Sequence, residues 1–322
     1  MSLKMAGKTS LAVLVGCNYP NSRNELHGCI NDVLTMKDML VNRFGFDEQH
    51  IELLIDAPGS VVMPTGANIK AALGRMVDGA EAGDVLFFHF SGHGTRIPSL
   101  KPFRPFRQDE AIVPCDFNLI TDIDFRQLVN RVPKGASFTI LSDSCHSGGL
   151  IDKEKEQIGL LSLSTDKNLG NRTNHVNFSK PRTLPFQAVM HHLTSLTRIN
   201  TSDLATHLLE LFGADASLMF RLSPVELGLK WPERDGDEGI LLSGCQAKET
   251  SADVNAGGKA YGAFSNAVQM VLKEEETGSL SNKQVVIMAR KLLWSQGFSG
   301  QHPCLYCADY NADASFLLQS HY

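Results

Sequence analysis

Two stretches of the chain end in residues able to do covalent chemistry. The apolar run DVLFFHF (84–90) passes into Ser91-Gly92-His93-Gly94, and SFTILSD (137–143) passes into Ser144-Cys145-His146-Ser147-Gly148-Gly149. A thiol near an imidazole is the minimal equipment of a cysteine nucleophile: the imidazole makes the thiolate and later protonates the leaving amine. A positive ring nearby also lowers a thiol pKa below its usual value of about 8.5. The flanking glycines let backbone N–H groups approach a substrate carbonyl, and Gly94 and Cys145 are the candidates for an oxyanion hole. Read singly, such a cysteine or histidine is more often a packing residue than a reactive one. Paired, each followed by glycine at a strand end, they favour catalysis. His146 is the rival base, but residues adjacent in sequence project in different directions, so His93 is preferred.

The elements that must bring these residues together follow from the patterning. LAVLVG (11–16), IELLID (51–56), the two runs above and GILLSG (239–244) are short and apolar, as buried strands are. Between them, 28–46 carries apolar residues at helical spacing, Thr65 can cap ANIKAALGRMVDGA, and a helix is expected from about Asp122 to Asn130. Later helices are expected in 201–212, in AYGAFSNAVQMVLKEE and in NKQVVIMARKLLWSQGF, with a final strand near ASFLL. Strands alternating with helices predict an α/β fold, a mostly parallel sheet with helices on both faces. Ligands of such sheets sit at the carboxyl ends of the strands, where His93 and Cys145 are placed. Residues 152–182 are polar and nearly free of aromatics, which reads as an exposed linker.

A length of 322 residues, 43% hydrophobic and 20% charged, suits a soluble globular chain. A net charge of −5 argues against nucleic acid as a partner. No apolar run reaches the length of a membrane span, and MSLKMAGKTS lacks the apolar core of a secretory signal, so a cytoplasmic protein with reduced cysteines is expected.

FFHFSGHGTR and SDSCHSGGL resemble the His and Cys motifs of caspase-like peptidases, and within that clan those of metacaspases. NYPNSRNELHGCINDV, DEAIVPCDFNLI, SGCQAKETSADV and the order long region, linker, short region resemble the plant type II group, with the short linker nearest its metacaspase-9-like members. The resemblance spans nearly the whole chain. It implies a caspase-like three-layer α/β/α sandwich, with 1–150 as a p20-like catalytic region, 151–182 as a cleavable linker and 183–322 as a p10-like region completing the same domain. It also implies a cysteine endopeptidase with the dyad His93 and Cys145, a monomer acting on proteins and peptides, and a link to programmed cell death or stress proteolysis. Protein protease inhibitors are possible partners; no cofactor, membrane or nucleic acid is called for.

By the same resemblance Asp32 and Asp143 hold the side chain before the cut. Two carboxylates favour a guanidinium, and would leave an acidic residue unpaired, so cleavage after Arg or Lys is expected rather than after Asp. Cys29 is a candidate pocket-lining residue, with packing its blander role. Family zymogens cut themselves between the two regions after a basic residue, and Arg182, at the end of the polar stretch, is the expected site. Lys153, Lys155, Lys167 and Arg172 are secondary. Many type II members need calcium and carry an acidic cluster after the His motif. Here Arg96, Lys101, Arg104 and Arg107 precede the first acids, Asp109 and Glu110, so no metal site and calcium-independent activity are expected. Cys304 and Cys307 have zinc-like spacing without a second pair, and packing is the expected role. A non-catalytic scaffold of the same fold is the rival reading, and a redox or metal protein using Cys304 and Cys307 is a second.

Overall fold

The computed structural model describes residues 8–99, 108–151, 155–158, 179–223, 225–226, 239–246, 249–274 and 280–317. Most of the expected linker lies outside them, as do Lys101, Arg104, Arg107, Lys153, Lys167 and Arg172.

The apolar runs form strands β1 (Ser10–Gly16), β2 (Ile51–Ile55), β3 (Val85–Ser91), β7 (Ser137–Asp143) and β9 (Gly239–Ser243). They lie parallel in the order β9-β7-β3-β1-β2, and an antiparallel strand β12 (Cys304–Tyr306) closes the β9 side. Successive side chains point to opposite faces. Val13, Val15, Phe88, Phe90, Phe138 and Ile140 therefore enter one core, while Ala12, Leu14, Val85, Phe87, Leu141 and Leu242 enter the other. Helices α2 (Gly66–Asp78), α3 (Asp122–Val129), α4 (Phe186–Thr197) and α5 (Leu204–Phe212) cover the first face, with the short α6 (Leu218–Arg221). The second face carries α1 (Cys29–Asn42), α7 (Ala263–Glu274), α8 (Asn282–Ser295) and the short α9 (Asp309–Asp313). This is the expected three-layer α/β/α sandwich. Two small sheets flank it: β4 (Gly94–Pro98), β5 (Gln108–Ile112) and β6 (Ile120–Thr121) form one, and β8 (Ser179–Pro181), β10 (Ala252–Ala256) and β11 (Lys259–Gly262) the other.

Local signals account for the boundaries. Thr65 Oγ1 accepts from the Asn68 N–H and starts α2, and Ser281 does the same for α8, with Gln284 reaching back to complete a capping box. The last strand is Cys304–Tyr306, not ASFLL: the latter begins with a single bridge at Ser315, and Phe316 packs into the core beside α8. Alternation in so short a run is equally consistent with a coil that drops one aromatic side chain into the interior.

Candidate active site

Register places the chemistry. Gly16, Ser91 and Asp143 are Cα partners across β1, β3 and β7, and Ser142 pairs with Ser243 of β9. His93 and Cys145 thus each lie two residues past a matched strand end, on neighbouring strands. Between them Gly94 crosses the Cys145 backbone so closely that a Cβ there would collide with the Cys145 carbonyl. No residue but glycine fits.

The imidazole is fixed from both sides. Its Nε2 lies 2.7 Å from the Asn24 carbonyl, which can only accept, so Nε2 carries the proton and Nδ1 keeps a lone pair. Nδ1 is buried without a hydrogen-bond partner. The Tyr19 ring lies 4.8 Å from the imidazole, and its hydroxyl accepts from the His93 N–H at 2.9 Å while donating to the Val113 carbonyl at 2.5 Å. The Cys145 sulfur is fully buried and receives the Ser251 N–H at 3.0 Å. The rival base, His146, follows it in the left-handed region at φ +57°, a sharp turn immediately after the thiol.

Arg182 holds the centre of the site. Its N–H donates to the Ser251 carbonyl at 2.8 Å, and its own carbonyl accepts from Gly94 at 3.1 Å and Cys145 at 3.2 Å. The two N–H groups named as oxyanion-hole candidates therefore converge on one carbonyl oxygen. The guanidinium enters a closed pocket. Nη2 donates to Asp32 and to Asp253, both at 2.9 Å; Nη1 donates to Ser91 Oγ at 2.7 Å and lies 3.2 Å from Asp143 Oδ2. Gly262 forms the floor, where any Cβ would strike both Asp143 and the guanidinium. An exposed linker was the expectation. Ser179, Lys180 and Pro181 are indeed exposed, but Arg182 is wholly buried, because three carboxylates repay the desolvation of one cation.

The segment before Arg182 is bound as a strand. Ser179–Pro181 pairs antiparallel with β10, and Lys180 Nζ donates to the Glu25 carbonyl at 2.7 Å. Beyond it, the Leu184 N–H donates to Gly94 at 2.9 Å and Thr95 Oγ1 donates to the Leu184 carbonyl at 2.7 Å.

The pocket carboxylates are themselves braced. The Ser265 N–H, in the first turn of α7, donates to Asp143 at 2.7 Å, and the Ser251 hydroxyl donates to the other oxygen. The Gly28 N–H donates to Asp253 at 3.0 Å. Burial pushes the Asp32 carboxyl up to about 6, against the pull of the Arg182 guanidinium, and the Asp143 charge adds to the rise. Cys29 opens α1 beside the pocket, where burial raises its thiol well above the usual range despite the nearby guanidinium. The sequence reading missed Asp253, Ser91, Ser251 and the Asn24 carbonyl. All four lie within the motif stretches quoted above, and nothing local singles them out there.

Burial also holds His93 down at about 4, since a charged ring there would forfeit its hydration. Between the ordinary value of 6.5 and that lower one, the unfolded chain takes up a proton that the folded chain refuses. Stability present above that window is therefore lost as pH falls through it, by about 2 kcal/mol between pH 7 and pH 5. In a Cys145→Ala background, His93→Gln should shrink the drop in Tm between those two pH values by several degrees. An undiminished drop would show that other groups set the pH dependence.

A histidine and a cysteine at the carboxyl ends of adjacent parallel strands, under a three-layer sandwich, define the class of caspase-like cysteine peptidases. Residues 11–154 match the family model described as metacaspase, peptidase C14 domain. The chain is 65% identical to metacaspase-9 of Arabidopsis thaliana, over 97% of this chain and 98% of that protein. It is 40% identical to Arabidopsis metacaspase-6, over 95% and 99%. A crystal structure of a Geobacter sulfurreducens protein shares the fold at a TM-score of 0.63 and 17% identity, over 97% of this chain and all of that one. The chain belongs to the metacaspase family, and is accordingly a cysteine-type peptidase. Among the described residues no helix is long and apolar enough to cross a membrane, and no cluster of His, Cys, Asp and Glu could hold a metal ion. Cys304 and Cys307 are buried and not joined in a disulfide.

Proposed function

We propose that the chain is the zymogen of an Arg/Lys-specific endopeptidase, held with its own cut site in its own active site. The observation that carries this reading is the double seating of Arg182: guanidinium among three carboxylates, carbonyl between the Gly94 and Cys145 N–H groups. The sulfur leaves the Ser251 N–H, His93 Nδ1 takes its proton, and the thiolate adds to the Arg182 carbonyl carbon. The charge that develops on oxygen falls on two N–H groups already aimed at it, an arrangement worth about 3 kcal/mol or more per donor. The imidazolium then protonates the Thr183 amine, and water hydrolyses the acyl-thioester. Other substrates follow the same path as an added strand on β10, with a basic side chain in the pocket. Partners on this reading are proteins and peptides presenting Arg or Lys, inhibitors included, and one chain supplies every group, so a monomer suffices.

Both regions contribute to one sheet, β1 to β3 and β7 from 1–150, β9 and β12 from 183–322, so the fragments made by cutting 151–182 stay associated. Calcium is dispensable on this reading because Glu110, next to the loop that carries cations in the sequence, already accepts the Gly149 N–H at 2.5 Å and faces Arg96 at 3.9 Å.

The test is mass analysis of intact protein incubated with a chelator over a hundredfold range of dilution. Fragments ending at Arg182 and beginning at Thr183 should form with one rate constant at every dilution, because a fully buried arginine is reachable only from within. A rate that scales with concentration, a different cut, or no cut until calcium is added would each overturn the corresponding part.

A further inference from the structure

A second thiol lies against the proposed nucleophile. Cys245 stands two residues past the end of β9, the strand next to β7. The Gly244 N–H donates to the Ser142 carbonyl at 2.9 Å, and the Ser243 and Ser147 hydroxyls meet at 2.8 Å, so the two strand ends are laced together up to the cysteines. The Cys245 thiol donates to the Glu249 carbonyl at 3.6 Å, and the neighbouring Cys145 side chain is the largest cause holding that thiol well above its usual range. Both residues are completely buried. A disulfide spans Cα separations of about 4.4–6.8 Å, close to the roughly 4.8 Å between neighbouring strands, and the two cysteines follow three and two residues after the paired ends Ser142 and Ser243.

We propose that Cys145 and Cys245 form a reversible disulfide that switches the processed enzyme off under peroxide and spares its nucleophile from irreversible oxidation. The inference rests on the reading of Cys145 as nucleophile. The Cys145 thiolate attacks hydrogen peroxide; the O–O bond breaks, an S–O bond forms and hydroxide leaves, giving a sulfenic acid. The Cys245 sulfur then attacks the sulfenic sulfur as its proton is taken up. The S–S bond forms, the S–O bond breaks, and the oxygen departs as water. A dithiol reductant returns both thiols by exchange. Contact with Cys145 and burial hold the Cys245 thiol well above its usual range, so it is not itself the first thiol oxidised. Its reaction is intramolecular, and the high effective concentration of a touching group offsets its low thiolate content. While Arg182 fills the site Cys145 has no exposed surface, so the uncut chain is shielded and the cut one is not.

The two cysteines fall on opposite sides of Arg182, so the bond has a direct readout. Processed protein is treated with hydrogen peroxide and run without reductant. The two fragments should migrate as one band near the mass of the whole chain, 35.2 kDa, and separate with dithiothreitol as activity returns. Peptide mapping should find the Cys145 and Cys245 peptides joined with the loss of two hydrogens. In Cys245→Ser and Cys245→Ala the joined band should vanish. Each variant, scored against its own untreated activity, should lose activity that dithiothreitol does not restore, with Cys145 gaining two or three oxygens. Mapping of the wild type alone decides the matter if those variants fail to fold. Loss of activity without the joined peptides, or an equal joined band in both variants, overturns the proposal. A joined band with activity intact would instead overturn the role of Cys145 as nucleophile.

Discussion

Cys145→Ala protein is expected to remain a single chain on long incubation and, when residues 1–182 and 183–322 are co-expressed as two chains, to hydrolyse an arginyl fluorogenic peptide about 10⁴-fold or more slowly than wild type made the same way. The substitution removes only the sulfur. The backbone N–H groups of residue 145 and Gly94 still point at the Arg182 carbonyl, and the acidic pocket is untouched. Binding should therefore survive while chemistry does not, so the loss belongs in kcat with KM changed little. The fold should survive too, since a small buried side chain becomes another small one and Tm stays within a few degrees. Steady-state rates, a denaturing gel and a thermal melt separate the alternatives. Activity within tenfold of wild type would move the nucleophile elsewhere, with the buried Cys29 next to be tested. A wild type equally inert in processed form would favour the scaffold reading, which needs neither thiol nor imidazole.

How much of this was legible beforehand depended on the range of the interaction that fixes each feature. The sheet was readable because continuous apolar runs such as DVLFFHF and SFTILSD fit only strands buried on both faces. The placing of His93 and Cys145 at neighbouring strand ends was readable because each follows closely on such a run, two residues past Ser91 and Asp143. Asp143 follows from the same logic, being the last residue of β7. Asp253 does not. It reaches the pocket because β10 pairs with β8, a contact between residues far apart in the chain, and nothing local marks it. The Asn24 carbonyl is a backbone group, which composition and spacing never reveal. The burial of Arg182 was read the wrong way round for a physical reason: a polar, Ser- and Lys-rich flank predicts solvent, and the flank is in solvent. The single residue drawn inward is held by charges that come from three separate elements, α1, β7 and β10.

That missed carboxylate carries the other large effect. Asp253→Asn should lower kcat/KM for an arginyl peptide about 10²-fold, mostly through KM. Nη2 of the seated guanidinium divides its contacts between Asp32 and Asp253 at equal distances of 2.9 Å, so the amide replaces one of two charged acceptors with a neutral one. Breaking a buried ion pair outright costs about 3–5 kcal/mol. Here the loss should fall near the bottom of that range, because the pocket holds three acids for one cation. Arginyl peptides should suffer more than lysyl ones, since a guanidinium spreads two nitrogens over the three acids and an ammonium brings a single point charge. Asp253 accepts the His27 N–H on one oxygen and the Gly28 N–H on the other, and an Asn amide can accept only one of them while its NH2 faces the other donor, so the variant should melt a few degrees below wild type. Equal kcat/KM for wild type and Asp253→Asn on both peptides would mean that Asp253 braces the chain around α1 and takes no part in choosing the residue before the cut.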